Sequence, residues 1–74
     1  MMSVVILIHA RVGSVWDASE HIKKISGIRQ ADVVTGPYDI IAYAEIPSAE
    51  DLRRLTDTIH NIDGVNRTET CIVI

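Results

Sequence analysis

Two stretches decide the fold: VWDASEHIKKISGI (Val15–Ile28) and LRRLTDTIHNIDGV (Leu52–Val65), one pattern written twice, 37 positions apart. Val15, Ala18, Ile22 and Ile25 recur as Leu52, Leu55, Ile59 and Ile62. That spacing of three, four and three residues makes one apolar stripe along an amphipathic helix. Each copy then reaches a glycine, Gly27 or Gly64, where a left-handed C-terminal cap is expected, followed by an aliphatic residue that opens an extended segment. The starts also agree. Ser14 has Asp17 three residues on and Ser48 has Asp51, so each hydroxyl is expected to cap a first turn while the carboxylate meets the helix dipole. Pro47 cannot continue a strand ladder and separates strand from helix.

Outward from the repeats lie the extended runs. The pattern predicts strands at 3–12, 28–35, 39–46 and 65–74, and helices at 14–25 and 48–62. Two βαβ halves joined by a hairpin give an α+β, ferredoxin-like βαββαβ sandwich. Its four-stranded antiparallel sheet has order 4-1-3-2, and right-handed crossovers set both helices on one face. Strand composition agrees. Val4-Val5-Ile6-Leu7-Ile8 and Ile40-Ile41-Ala42-Tyr43-Ala44 are apolar on both faces, as central strands should be. Arg29-Gln30-Ala31-Asp32 and Asn66-Arg67-Thr68-Glu69-Thr70 are mixed, as edge strands are. The second apolar face of the central strands then has no cover within one chain. A two-fold dimer packed sheet against sheet is expected, leaving the edges and the loop near Gly36 for contacts between dimers.

Composition fits a small associating domain. The 74 residues make one domain, and a chain this short buries only about 60% of its extended surface when folded alone. Yet 47% of it is hydrophobic, with one Trp and no Phe. The net charge of -3 and the scattered Lys and Arg, adjoining only at Lys23-Lys24 and Arg53-Arg54, argue against direct nucleic-acid binding. Cys71 stands alone, so neither a disulfide framework nor a cysteine metal cluster is expected, and its apolar neighbours suit a buried side chain. His9 and Arg11 interrupt Val4–Val12, which reads as a strand and not as a signal peptide or membrane span. A reducing cytoplasm is the default location.

Candidate chemistry is sparse. His9, His21 and His60 lack metal-ligand spacing, and His9 is the one set apart by its place on the first strand. Trp16 lies beside the helix stripe, where it is expected to cover a sheet or subunit edge. The glycines Gly13, Gly27, Gly36 and Gly64 are isolated and form no nucleotide loop, so no cofactor is expected. The turn Thr35-Gly36-Pro37-Tyr38-Asp39 is different. Gly36 can take positive φ, Pro37 fixes its own φ, and Asp39 can bond back to nearby N–H groups. Thr68 and Thr70 share one strand face and carry hydroxyls that donate and accept. With Asp39 and the Gly36 backbone, on one chain or across subunits, they could hold a zwitterion: acceptors for an ammonium, donors for a carboxylate.

Val33-Val34-Thr35-Gly36-Pro37-Tyr38-Asp39-Ile40, then Gly64-Val65 and Thr68-Glu69-Thr70, resemble the effector-binding domain of Lrp/AsnC transcription regulators, also called the regulation-of-amino-acid-metabolism domain. The resemblance spans essentially the whole chain as one domain, residues 1–74. It implies sheet-packed dimers assembled into a ring, with an amino acid or similar small effector held between dimers. By that resemblance Thr35, Gly36, Pro37 and Tyr38 supply the contact surface, chiefly through the backbone at Gly36, while Asp39 receives the ammonium or holds the turn. Thr68 and Thr70 contribute or shape the sheet. Full-length members carry a helix-turn-helix domain first, and here only the first strand follows Met1. The expectation is therefore the stand-alone type with a natural start at Met1, unable to read DNA unaided and acting with a DNA-binding relative. Two rivals are a small dimeric enzyme of the cofactor-free monooxygenase type, using His9, Trp16 and Tyr43, and a purely structural assembly domain.

Overall fold

The computed structural model describes all 74 residues. Its elements run β1 (Met2–Ala10), α1 (Val15–Lys23), β2 (Ile28–Val33), β3 (Ile40–Ile46), α2 (Ala49–His60) and β4 (Val65–Ile72). The sheet order is β2-β3-β1-β4 with every neighbouring pair antiparallel, which is the expected order read from the other edge. The fold is the ferredoxin-like α+β sandwich.

Alternation along the central strands sorts residues into two faces. Val4, Ile6, Ile8 and Ala10 of β1 and Ile40, Ala42, Ala44 and Ile46 of β3 are buried beneath the helices. In the antiparallel register Ile8 faces Ile40, Ile6 faces Ala42 and Val4 faces Ala44, so in two of these three pairs a large side chain meets a small one. The repeated stripes fill the space above: Ala18, Ile22, Leu55 and Ile59 are buried, while Val15, Ile25, Leu52 and Ile62 pack around them. Each fully buried Leu or Ile side chain contributes about 1.5–3 kcal/mol of transfer free energy.

The opposite sheet face is open. Leu7 lies across from Ile41 and Val5 from Tyr43, making an apolar centre whose Tyr43 is 40% exposed. Polar and charged residues of the two edge strands border it: Gln30 and Asp32 on β2, Arg67 and Glu69 on β4.

Several local expectations change. The helices end at Lys23 and His60, so Gly27 and Gly64 are not helix caps. They occupy the third position of two repeat-related turns, closed by Ile28 N–H to Ile25 C=O at 3.1 Å and Val65 N–H to Ile62 C=O at 3.2 Å. Their φ values of 97° and 94°, with no positive φ at a non-glycine residue, define type II turns. Neither Ser14 nor Ser48 caps its helix through the side chain. Ser48 Oγ donates instead to the Asp51 carboxylate at 2.7 Å, a charged acceptor, and Ser14 has helical dihedrals where a cap needs extended ones. Cys71 is exposed, not buried, because it projects from an edge strand onto the uncovered face opposite Val5. Trp16 is 72% exposed, since its off-stripe position carries it away from the sheet, so within one chain it covers no sheet edge.

Candidate functional site

The backbone between β2 and β3 builds the candidate site. Val34 N–H donates to Asp39 C=O and Asp39 N–H to Ile8 C=O, each at 2.9 Å, so the loop is stitched at its base and across to β1. The Asp39 carboxylate adds a third tie: Ala10 N–H donates to Oδ2 at 2.8 Å. Ala10 lies two residues past Ile8, where the β1–β3 ladder ends, so its N–H meets no strand carbonyl on that side and the Asp39 carboxylate supplies the acceptor. His9 Nδ1 is 3.7 Å from the same oxygen, and its ring leans on Tyr38 with centroids 4.8 Å apart.

Above this clamped base the loop is bare. Thr35, Gly36 and Pro37 are exposed. The N–H groups of Thr35, Gly36 and Tyr38 and the carbonyls of Thr35 through Tyr38 have no hydrogen-bond partner within the chain. Gly36 has φ of 115°, a conformation that other residues rarely adopt, and a Cβ there would meet nothing within 4 Å. Free donors and acceptors on a fixed loop, with open space above a glycine, suit backbone recognition of a small polar molecule or of an approaching subunit.

Thr35, Gly36, Pro37, Tyr38 and Asp39 thus form one unit, and His9 joins them. Its contact with Tyr38 spans the sheet from β1 to the loop, and nothing in the local pattern signals it. Thr68 and Thr70 do not join within one chain. Register places them opposite Ile8 and Ile6, on the helix-covered face of edge strand β4, whereas His9, Tyr38 and Asp39 meet beside the open face. Thr68 Oγ1 is instead 2.8 Å from His60 Nε2 at the end of α2, and Thr70 is exposed.

Other chemistry stays dispersed. His9 and Tyr43 share the open face but stand about 13 Å apart along the strands, since Tyr43 lies opposite Val5. Trp16 is on the helix layer. Neither Trp16 nor Tyr43 lines any of the four surface grooves. No group of three or more His, Cys, Asp or Glu side chains is placed to hold a metal ion. No helix is long and apolar enough to cross a membrane.

A four-stranded ferredoxin-like sandwich with an uncovered apolar face and a clamped, solvent-facing glycine turn defines a small α+β ligand-binding or assembly domain. Residues 3–74 match the family model of the Lrp/AsnC ligand binding domain, and the chain belongs to that family. It is 30% identical over 73 residues to the HTH-type transcriptional regulator FL11 of Pyrococcus abyssi, covering 99% of this chain and 48% of that protein. An uncharacterised HTH-type transcriptional regulator of the same organism is 44% identical over 41 residues, which are 55% of this chain and 28% of that protein. The chain therefore spans about half or less of the length of these curated relatives. The crystal structure of TTHA0845 from Thermus thermophilus superposes with a TM-score of 0.95 at 32% identity, covering 100% of this chain and 94% of that one. E. coli AsnC gives 0.89 at 25% identity, covering 99% of this chain and 50% of that one. The relatives are transcription regulators, and this chain corresponds to their ligand-binding domain.

Proposed function

We propose that this chain is a non-enzymatic sensing domain that binds an amino acid or similar small effector at the Thr35–Asp39 turn, where two dimers meet. The observation that carries this reading is the row of unpartnered backbone groups from Thr35 to Tyr38, held from below by Asp39. The loop N–H groups receive the effector carboxylate and the loop carbonyls its ammonium. Thr68 and Thr70 are offered by an adjoining subunit, because their own strand face lies away from the turn. The dimer forms through the open sheet face around Leu7 and Ile41, and dimers close into a ring through edges and turns. Effector bound at such a junction favours one assembly and shifts the population toward it. Output to transcription then runs through a DNA-binding Lrp/AsnC relative in the same cytoplasmic assembly, consistent with the net charge of -3.

The test is a thermal-shift screen of the standard amino acids at millimolar concentration, paired with light scattering. A selective rise for one or two ligands, lost in Gly36→Val, is the expected result. A flat response with unchanged particle size for every ligand would refute the reading.

A further inference from the structure

One side chain outside the turn reaches its foot from the sheet. His9, half-buried near the end of β1, has Nδ1 3.7 Å from Asp39 Oδ2, the oxygen that already accepts from Ala10 N–H at 2.8 Å. Its ring lies against Tyr38, with centroids 4.8 Å apart and planes at 45°. Two consecutive loop residues therefore meet the imidazole, one through a carboxylate and one through a ring. The gap to the carboxylate is too long for a hydrogen bond, yet a small rotation of the ring closes it. The exposed part of the loop is free to follow, because the N–H groups of Thr35, Gly36 and Tyr38 bond to nothing in the chain.

The charges around His9 pull in opposite directions. Asp39 supplies the one carboxylate within 4 Å of the ring and attracts an imidazolium. Arg67 lies opposite His9 on β4, forms no ion pair within the chain, and repels one. Glu69 stands on the same face of β4, opposite Leu7 and so one alternate position away. Arg11, two residues beyond His9, is engaged with Asp63 at 3.4 Å. Histidine changes charge in the range from about pH 5 to 8, and an N–H···O bond between charged groups is about twice as strong as a neutral one.

We propose that His9 is a proton-operated positioning residue for the Thr35–Asp39 turn. When the ring is charged, Nδ1–H closes onto the Asp39 carboxylate and the turn is drawn against β1. The charged ring also holds Tyr38, whose centroid is within the range of about 6 Å over which an aromatic face attracts a cation. When the ring is neutral, the carboxylate keeps Ala10 N–H alone and the loop above it is looser. The control belongs to the turn itself and does not depend on an effector.

The experiment follows backbone amide and imidazole resonances of the isotope-labelled 74-residue chain from about pH 8 to about pH 5, with no ligand added. The amides of Ala10, Tyr38 and Asp39 are expected to move in one step that coincides with the His9 ring signals. The step should not follow His21, which is on α1, or His60, which is at the end of α2 beside Thr68. Over the same step the heteronuclear NOE of Thr35, Gly36 and Tyr38 should rise as the loop tightens. His9→Phe keeps a ring beside Tyr38 with no proton to exchange, and His9→Gln removes ring and proton together; both should abolish the step. Asp39→Asn should leave the His9 ring titrating while shrinking the loop step at least about twofold. Arg67→Gln removes the opposing charge and should move the step to higher pH. A loop that does not respond to pH, a step that tracks His21 or His60, one that survives in either His9 variant, or one of full size in Asp39→Asn would overturn the proposal.

Discussion

Removing the Asp39 carboxylate tests whether the Thr35–Asp39 turn is held by one side-chain bond. In Asp39→Ala the Ala10 N–H loses its acceptor at 2.8 Å, past the end of the β1–β3 ladder, where no neighbouring strand carbonyl replaces it. A hydrogen bond to a charged acceptor contributes about 1.5–3 kcal/mol when buried. Here the Asp39 side chain is 35% exposed, so water partly replaces what is lost and the cost falls around the lower end of that range, about 1–2 kcal/mol. The His9 nitrogen at 3.7 Å adds little, being beyond hydrogen-bond distance. For a domain of this size each kcal/mol moves the melting temperature by roughly 4–8 °C, giving a fall of about 5–15 °C. Asp39→Asn keeps an oxygen acceptor without the charge and should lose about half as much. Calorimetry on the two variants at equal concentration ranks them, and hydrogen exchange at Ala10 locates the effect. If the Ala10 amide stays protected in Asp39→Ala, or both variants melt with the parent, the clamp is refuted.

Other perturbations follow from single contacts. Gly64→Ala places a Cβ 2.5 Å from Ser14 Cβ at a φ of 94°, so strain and overpacking together should cost about 2–5 kcal/mol in chemical denaturation. Gly36→Ala has the same backbone problem with nothing within 4 Å, and should cost only about 1–3 kcal/mol; equal losses at the two positions would contradict the packing at Gly64. Ser19 has a buried hydroxyl with no partner, so Ser19→Ala should raise stability by about 1 kcal/mol, and a fall would show that the hydroxyl is satisfied. Leu7→Glu sets a charge at the middle of the open sheet face; light scattering should report smaller particles, and an unchanged size would place the dimer contact elsewhere.

Much of this molecule is written locally. The stripe through Ala18 and Ile22, and its copy through Leu55 and Ile59, identifies both helices and their buried faces, because side-chain direction follows the helical period. Two-faced apolarity marks β1 and β3 as central, since only central strands can be covered on both sides, and the mixed composition of β2 and β4 marks the edges. The segment from Thr35 to Asp39 was legible as a turn from its Gly, Pro and Asp, since positive φ at Gly36 and the fixed φ of Pro37 are local properties.

What the sequence could not decide was which groups meet. Ala10 and Asp39 are 29 positions apart, and their bond exists because β1 runs two residues beyond its ladder with β3 and leaves one N–H facing the start of that strand. The contact of His9 with Tyr38, and of Thr68 with His60, depends on register and on where α2 ends. The same register turns Thr68 and Thr70 to the face opposite the turn, although spacing alone allowed all of them one site. The cap hydroxyls show the same division: Ser48 stands where its pattern placed it, but its hydroxyl chose Asp51 over the helix backbone. Periodicity and backbone preference act over a few residues and fix elements and faces. Partner choice is settled by packing across the sheet, where shifts of one residue change every neighbour.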